Sequence, residues 1–176
     1  MIHNYKKMKI GRFICVGGIL TTITVLFQSA PVFLPAIGLA LSPLSTLSIA
    51  IAAVSKISLG LTVFFSSALI LVIVSVQETM ILLFTTGLLG MVIGILLYRK
   101  GLIISILFSS IALSLGMIFL TYIVGISAFA DLASTLSTPL TFLTFFLFSL
   151  AYASIWNICL RKFMNYLIKA LTHLPF

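Results

Sequence analysis

The fold is decided by residues 77–100, which read QETMILLFTTGLLGMVIGILLYRK. Between Glu78 and Arg99 lie 20 residues without a charge. An α-helix rises about 1.5 Å per residue, so a helix of this length covers the roughly 30 Å hydrocarbon core of a bilayer. One end of the stretch is acidic, and the other carries the basic pair Arg99 and Lys100. The stretch therefore predicts a membrane-spanning helix with a defined direction.

Three glycines recur on one side of this predicted helix. Gly87, Gly90 and Gly94 are three and four residues apart, which places them on one helical face. Glycines on one face of a membrane helix allow another backbone to approach closely. We therefore predict a face for helix packing or partner docking, which by itself indicates no chemistry.

The composition of the whole chain is that of an integral membrane protein. Its 176 residues are 62% hydrophobic and 7% charged, with a mean hydropathy of +1.36, which is too apolar for a soluble domain of this size. The apolar runs are continuous and near 20 residues long, so helices are expected and not alternating strands. The net charge of +8 comes from short basic clusters between apolar runs, which argues against nucleic-acid binding.

The uncharged gaps between successive charged residues give the number of spans. They contain 43, 21, 20, 30 and 29 residues in chain order, and the first gap is long enough for two helices. Pro31 and Pro35 supply the break within that gap, and Pro43 predicts a kink in the second helix. Gln28 stands where a signal-peptide cleavage site needs a small residue, so we expect the first span to be retained. We predict one domain over 1–176 with six transmembrane helices, at 13–30, 37–54, 57–76, 80–97, 101–125 and 139–160.

The distribution of charge predicts the orientation of these six helices. With the N-terminus in the cytoplasm, all ten Lys and Arg residues lie inside, and the two acidic residues, Glu78 and Asp131, lie outside. Positive residues are retained on the cytoplasmic side of membranes. We therefore predict cytoplasmic termini, with residues 1–12 as a basic N-terminal segment. Residues 161–176 are predicted to form a short amphipathic helix on the cytoplasmic leaflet, with docking to a partner as the alternative.

The sequence argues against an enzyme. No His, Asp, Glu or Lys lies within a predicted span to activate a Ser or Thr nucleophile. No phosphate-binding Gly-x-x-x-x-Gly-Lys loop is present, so this chain does not hydrolyse ATP. Cys15 and Cys159 fall near the cytoplasmic ends of spans, where we expect free thiols. His3 and His173 are expected to be solvated, and we predict neither a metal site nor a cofactor.

The remaining candidate chemistry is binding at the outer face. The candidate ligand contacts are Glu78, Gln77, Asp131 and Tyr122, each of which could instead be a hydrated loop group. Glu78 is the strongest of them, because few polar residues separate it from apolar helices and its side chain can point into a polar cavity.

The chain resembles the substrate-binding (S) components of energy-coupling-factor transporters and related uncharacterised bacterial membrane proteins. The resemblance is carried by CVGGILTT at 15–22, by the proline-bearing turn at 30–35 and by TGLLGMVIG at 86–94 before the basic pair. It implies capture of a vitamin or another micronutrient at the bacterial plasma membrane. It also implies docking through the first span onto a membrane coupling subunit that is driven by two cytoplasmic ATPases.

The docking face of that family is typically an alanine at every fourth position. Here Gly17 and Thr21, and Gly18 and Thr22, stand at that spacing and keep the residues small. The leading hypothesis is therefore a substrate-capture subunit of an ATP-driven importer. A scaffold or assembly factor that does not transport is the alternative, and a small oligomeric channel or exporter is the third class.

Overall fold

The structure is a computed structural model that describes residues 10–97, 99–125 and 138–172. Over these ranges the chain has no β-strand and forms six helices that are long and apolar enough to cross a membrane. They are α1 (Ile10–Phe33), α2 (Pro35–Ser55), α3 (Ile57–Val74), α4 (Val76–Leu96), α5 (Leu102–Val124) and α6 (Thr138–Thr172). The predicted all-α architecture of a multi-pass membrane protein is confirmed.

Single residues connect the first four helices. Leu34 alone joins α1 to α2, while Lys56 and Ser75 join the next pairs in extended conformation, with φ near −161° and −162°. Pro31 lies within the last turn of α1, so this helix ends three residues later than predicted, and the break at Leu34 falls between Pro31 and Pro35 as expected. Pro43 lies in a tight 3-10 turn, where α2 changes its winding.

Helices α2 and α4 occupy the centre of the bundle. Half of the residues in the most apolar 18-residue segment of each of these two helices are buried, whereas the share in α1 is 17%. One hydrophobic cluster joins α2, α3 and α4, and includes Ile49, Leu59 and Leu82. A second joins α2, α4, α5 and α6, and includes Leu89 and Phe145. Since α2 and α4 belong to both clusters, the other helices are arranged around this pair.

The glycines of α4 lie where α2 and α3 come closest to it. A Cβ atom added at Gly90 would lie 2.7 Å from the carbonyl oxygen of Thr46 in α2, and one at Gly94 would lie 2.7 Å from the carbonyl oxygen of Ala50. A Cβ at Gly87 would lie 2.6 Å from the ring of Phe64 in α3. This face of α4 therefore packs against helices of the same chain.

Helix α6 is longer than the sequence suggested. It continues without interruption past Leu160 to Thr172, so the start of the tail extends the sixth helix and does not form a separate short one. The physical reason is local: no glycine or proline occurs between these two residues to stop the helical ladder. At 35 residues the helix is about 52 Å long, so it extends well beyond a roughly 30 Å hydrocarbon core.

Candidate functional site

Glu78 lies at the beginning of α4 but is buried. The hydroxyl of Ser75, which caps the helix, accepts a hydrogen bond from the Glu78 backbone N–H at 3.3 Å. A serine at this position satisfies one of the backbone donors that the first turn of a helix leaves free. The side chain of Glu78 is only 8% exposed, because it is turned towards α1 and not towards the end of the bundle.

The partner of Glu78 is Gln28, a fully buried residue of α1. The Gln28 Nε2 donates to Glu78 Oε2 at 2.9 Å. The Gln28 Oε1 accepts from the hydroxyls of Ser45 in α2 and Thr86 in α4, at 2.8 and 2.9 Å. We call these four residues the Gln28–Glu78 cluster. The amide orientation follows from the partners, since a carboxylate can only accept and the two hydroxyls are free to donate.

Helical periodicity explains why Gln28 faces inward. Along α1 the buried positions Gly17, Thr21, Thr24 and Gln28 follow one another at spacings of four, three and four residues. This spacing defines one helical face. Residue 28 therefore points into the bundle on the same side as the buried threonines.

Irregular turns hold both hydroxyl donors of the cluster. Ser45 directly follows the 3-10 turn Ser42–Leu44, and its hydroxyl also lies 2.7 Å from the Ser42 carbonyl oxygen. With one proton, this hydroxyl donates to either Gln28 or Ser42 at a given moment. Thr86 is the last residue of a π-helical turn, Leu82–Thr86. Short π-helical turns inside α-helices occur frequently at functional sites.

The charge of Glu78 has no basic partner among the described residues. Its hydrogen bond to Gln28 is the one side-chain interaction of the carboxylate there. Lys56 precedes the 18-residue helix α3 and Glu78 follows it, so the two are about 27 Å apart along the helix axis. Arg99 and Lys100 follow α4, about 30 Å from Glu78. At such distances an attraction amounts to less than about 1 kcal/mol at an effective dielectric constant of about 20.

The other predicted ligand contacts lie apart from this cluster or outside the described residues. Gln77 is exposed. Tyr122 is half exposed, and its ring stacks on Phe142 of α6 with the ring centres 6.1 Å apart. No hydrogen bond among the described residues joins Tyr122 to Glu78. Asp131 lies outside the described residues.

The small residues of the first span divide between two faces of α1. Thr21 is buried, and a Cβ at Gly17 would lie 3.4 Å from a methyl group of Leu59. Gly18 and Thr22 are exposed, and a Cβ at Gly18 would meet nothing within 4 Å. The first pair therefore contacts the bundle, and the second pair faces away from it.

Sequence reasoning missed Gln28, Ser45 and Thr86 as site residues. It considered Gln28 only as an obstacle to signal-peptide cleavage. A usable signal was present, because Thr21, Thr24 and Gln28 recur at helical spacing within an otherwise apolar span. Ser45 and Thr86 carried no such signal, since hydroxyl residues occur in every span.

A second buried polar contact joins α5 to α6. The Ser105 hydroxyl donates to the Asn157 Oδ1 at 2.5 Å, and the Asn157 Nδ2 donates to the Ala153 carbonyl oxygen at 2.8 Å. All groups here are neutral, so the contact acts as a polar link between two helices. Within the described ranges no group of three or more His, Cys, Asp or Glu residues is placed to hold a metal ion.

Comparison of the chain with protein-family models, with curated proteins and with solved structures found no significant match. A functional assignment therefore depends on the Gln28–Glu78 cluster and on the pattern of the sequence.

Proposed function

We propose that this protein is the substrate-capture subunit of an ATP-driven importer for a micronutrient, and that it binds its solute at the Gln28–Glu78 cluster. The chain then resembles the S components of energy-coupling-factor transporters in role as well as in pattern. It takes its energy from a membrane coupling subunit and two cytoplasmic ATPases, because its own sequence has no nucleotide-binding loop.

The observation that carries this proposal is a buried carboxylate within a membrane-spanning helix. Glu78 is 8% exposed and is held by a fully buried Gln28. Ionisable residues inside membrane helices are costly, and those that persist mark ion or solute sites in most cases. Three helices, α1, α2 and α4, contribute to the cluster, which is typical of binding sites formed between helices of a bundle.

The surface of α1 suits a partner subunit. It is the least buried of the six helices, since only 17% of the residues in its most apolar 18-residue segment are buried. Its outward face carries the small residues Gly18 and Thr22, where another helix can approach closely. Gly17 and Thr21 are occupied within the bundle, so the docking proposal is restricted to the outward pair.

Orientation and location belong to the same proposal. The cytoplasmic side is the one that carries the basic residues, including Lys56, Arg99 and Arg161, and the protein is inserted in a bacterial plasma membrane. Both termini are then cytoplasmic, and the part of α6 beyond Leu160 extends from the bilayer into the cytoplasm. The end of α4 that carries Glu78 faces the outside.

The proposal is tested by expressing the tagged chain with candidate coupling and ATPase subunits. We expect the three partner polypeptides to copurify with it and a small molecule to be retained, which mass spectrometry of the extracted solute would detect. Glu78→Gln keeps the side-chain shape and should abolish solute retention while leaving the partner subunits bound. Purification without partners and without a retained solute would overturn the proposal.

The alternative, a scaffold that does not transport, makes the opposite prediction for Glu78. It requires Glu78→Gln to be silent in cells. A bulky Gly90→Leu would be damaging under either hypothesis, because that face packs against α2 of the same chain. Glu78→Gln is therefore the variant that separates the two functions.

A further inference from the structure

We infer that the Gln28–Glu78 cluster receives a protonated amine of the solute, so that the protein selects organic cations. This inference rests on the proposed function and adds to it the charge and the hydrogen-bonding chemistry of the ligand. It is independent of the coupling and ATPase subunits, since it concerns the capture step alone.

Glu78 is buried and has no positively charged partner among the described residues. A carboxyl group buried without a cation either takes up a proton or, as a carboxylate, pays a large desolvation penalty. A bound ammonium group stabilises the ionised form, whereas a neutral or anionic ligand does not.

The Gln28–Glu78 cluster leaves part of its hydrogen-bonding capacity unused among the described residues. Gln28 donates to Oε2 of Glu78, and no described residue donates to Oε1. The Thr86 hydroxyl donates its proton to Gln28, and the Ser45 hydroxyl donates to either Gln28 or the Ser42 carbonyl oxygen, so both oxygens keep lone pairs as acceptors. The open capacity is therefore acceptor capacity, and an ammonium group with its three N–H donors is the complementary ligand.

The same geometry argues against a metal ion. Calcium takes six to eight oxygen ligands, and magnesium needs near-octahedral coordination. Here one carboxylate is present, and the carbonyl oxygen of Gln28 already has the hydroxyls of Ser45 and Thr86 within hydrogen-bond distance. The Gln28 amide also directs its N–H bonds at the carboxylate, where a metal ion would have to bind.

The test is a thermal-unfolding screen of the purified full-length chain in lipid nanodiscs, followed by the fluorescence of Trp156, the single tryptophan. The probes are a panel of alkyl and aryl primary amines, each matched to the alcohol and the carboxylate of the same carbon skeleton. Sodium chloride and choline chloride test charge without N–H donors, since neither cation can donate a hydrogen bond from nitrogen, and neither should raise the midpoint as the primary amines do. An amine at ten times its dissociation constant should raise the unfolding midpoint by about 3–6 °C, because a ligand that binds only the folded state stabilises it. The matched alcohol and carboxylate should have no effect.

Two variants assign the effect to the cluster. Glu78→Gln should remove the amine-dependent shift, and Ser105→Ala, which changes the separate polar contact between α5 and α6, should retain it. Glu78→Asp keeps the charge on a shorter side chain and should retain a reduced shift, which covers the case in which Glu78→Gln fails to fold. Stabilisation by alcohols, carboxylates or sodium in place of amines would overturn the inference, while a solute-binding importer would stand. An amine effect that survives Glu78→Gln, or a panel without any amine-specific shift, would overturn it as well.

Discussion

At the scale of single residues, the buried cluster depends on Gln28. Its amide contacts the carboxylate of Glu78 through its donor and two hydroxyls through its acceptor. Among side chains of similar length, the amide of Gln combines donors and an acceptor in this way, whereas Glu when ionised offers acceptors only and Leu offers neither. A buried polar group that loses its partner costs more than the hydrogen bond itself contributes.

Replacing Gln28 should therefore destabilise the protein more than replacing its exposed counterpart Gln77. Gln28→Leu leaves the Glu78 carboxylate and the hydroxyls of Ser45 and Thr86 without this partner, and should lower the free energy of unfolding by about 1–3 kcal/mol. Gln77→Leu, at an exposed position, should change it by less than about 0.5 kcal/mol. Denaturant titration in mixed micelles measures both values, and equal losses would show that the cluster contributes nothing to stability.

At the scale of helices, α4 and α5 meet at irregular turns. A π-helical turn spans Leu82–Thr86 in α4, and a second spans Leu120–Val124 in α5. The ring of Phe84 in the first turn stacks on Phe119, with the ring centres 4.2 Å apart. Gly116 lies against the carbonyl oxygen of Phe84, with which a Cβ atom would overlap. The wider turn of α4 is thus accommodated where α5 has no side chain.

Gly116→Ala should separate these two helices. The atom that the new methyl group meets is a backbone oxygen, which cannot rotate away as the end of a flexible side chain can. We expect a loss of about 1–3 kcal/mol in the free energy of unfolding. The matched control is Gly18→Ala on the outward face of α1, where the added methyl meets nothing and a better helix former should be neutral or stabilising. Unfolding in denaturant compares the pair, and a tolerated Gly116→Ala would contradict the packing described for α4 and α5.

At the scale of the whole molecule, the structure separates cations from the buried acid. The ammonium of Lys56 lies 5.7 Å from the ring centre of Phe13, near the beginning of α1. Glu78 pairs with Gln28 near the end of the same helix. About 15 residues of α1, or roughly 22 Å, separate the two contacts. The two charges therefore lie towards opposite ends of the bundle.

Thiol labelling tests which end faces the cytoplasm. In a background in which Cys15 and Cys159 are replaced by serine, Ser55→Cys lies beside Lys56, and Gln77→Cys lies beside Glu78; both positions are exposed. A membrane-impermeant maleimide should label Gln77→Cys in intact cells and Ser55→Cys only after permeabilisation, because positive residues are retained inside. The reverse pattern would mean that the orientation is inverted.

The amino-acid sequence by itself determined the number of membrane-length helices and placed their boundaries within a few residues in most cases. This was possible because the length of each apolar run can be compared with the thickness of a bilayer from the residues of that run alone. The end of α6 was predicted wrongly. The helix was expected to end at Leu160, before the charged Arg161, whereas its backbone hydrogen bonds continue to Thr172.

The tertiary structure alone decided which polar groups meet. Gln28 lies 50 residues from Glu78 and 58 from Thr86 in the chain, and their contact depends on how α1, α2 and α4 are rotated against one another. The same rotation turns Gly17 inward and Gly18 outward, although both stand in the same run of small residues. Hydropathy reports that a segment enters the membrane, but the direction in which each side chain points is set by the packing of its helix against the others.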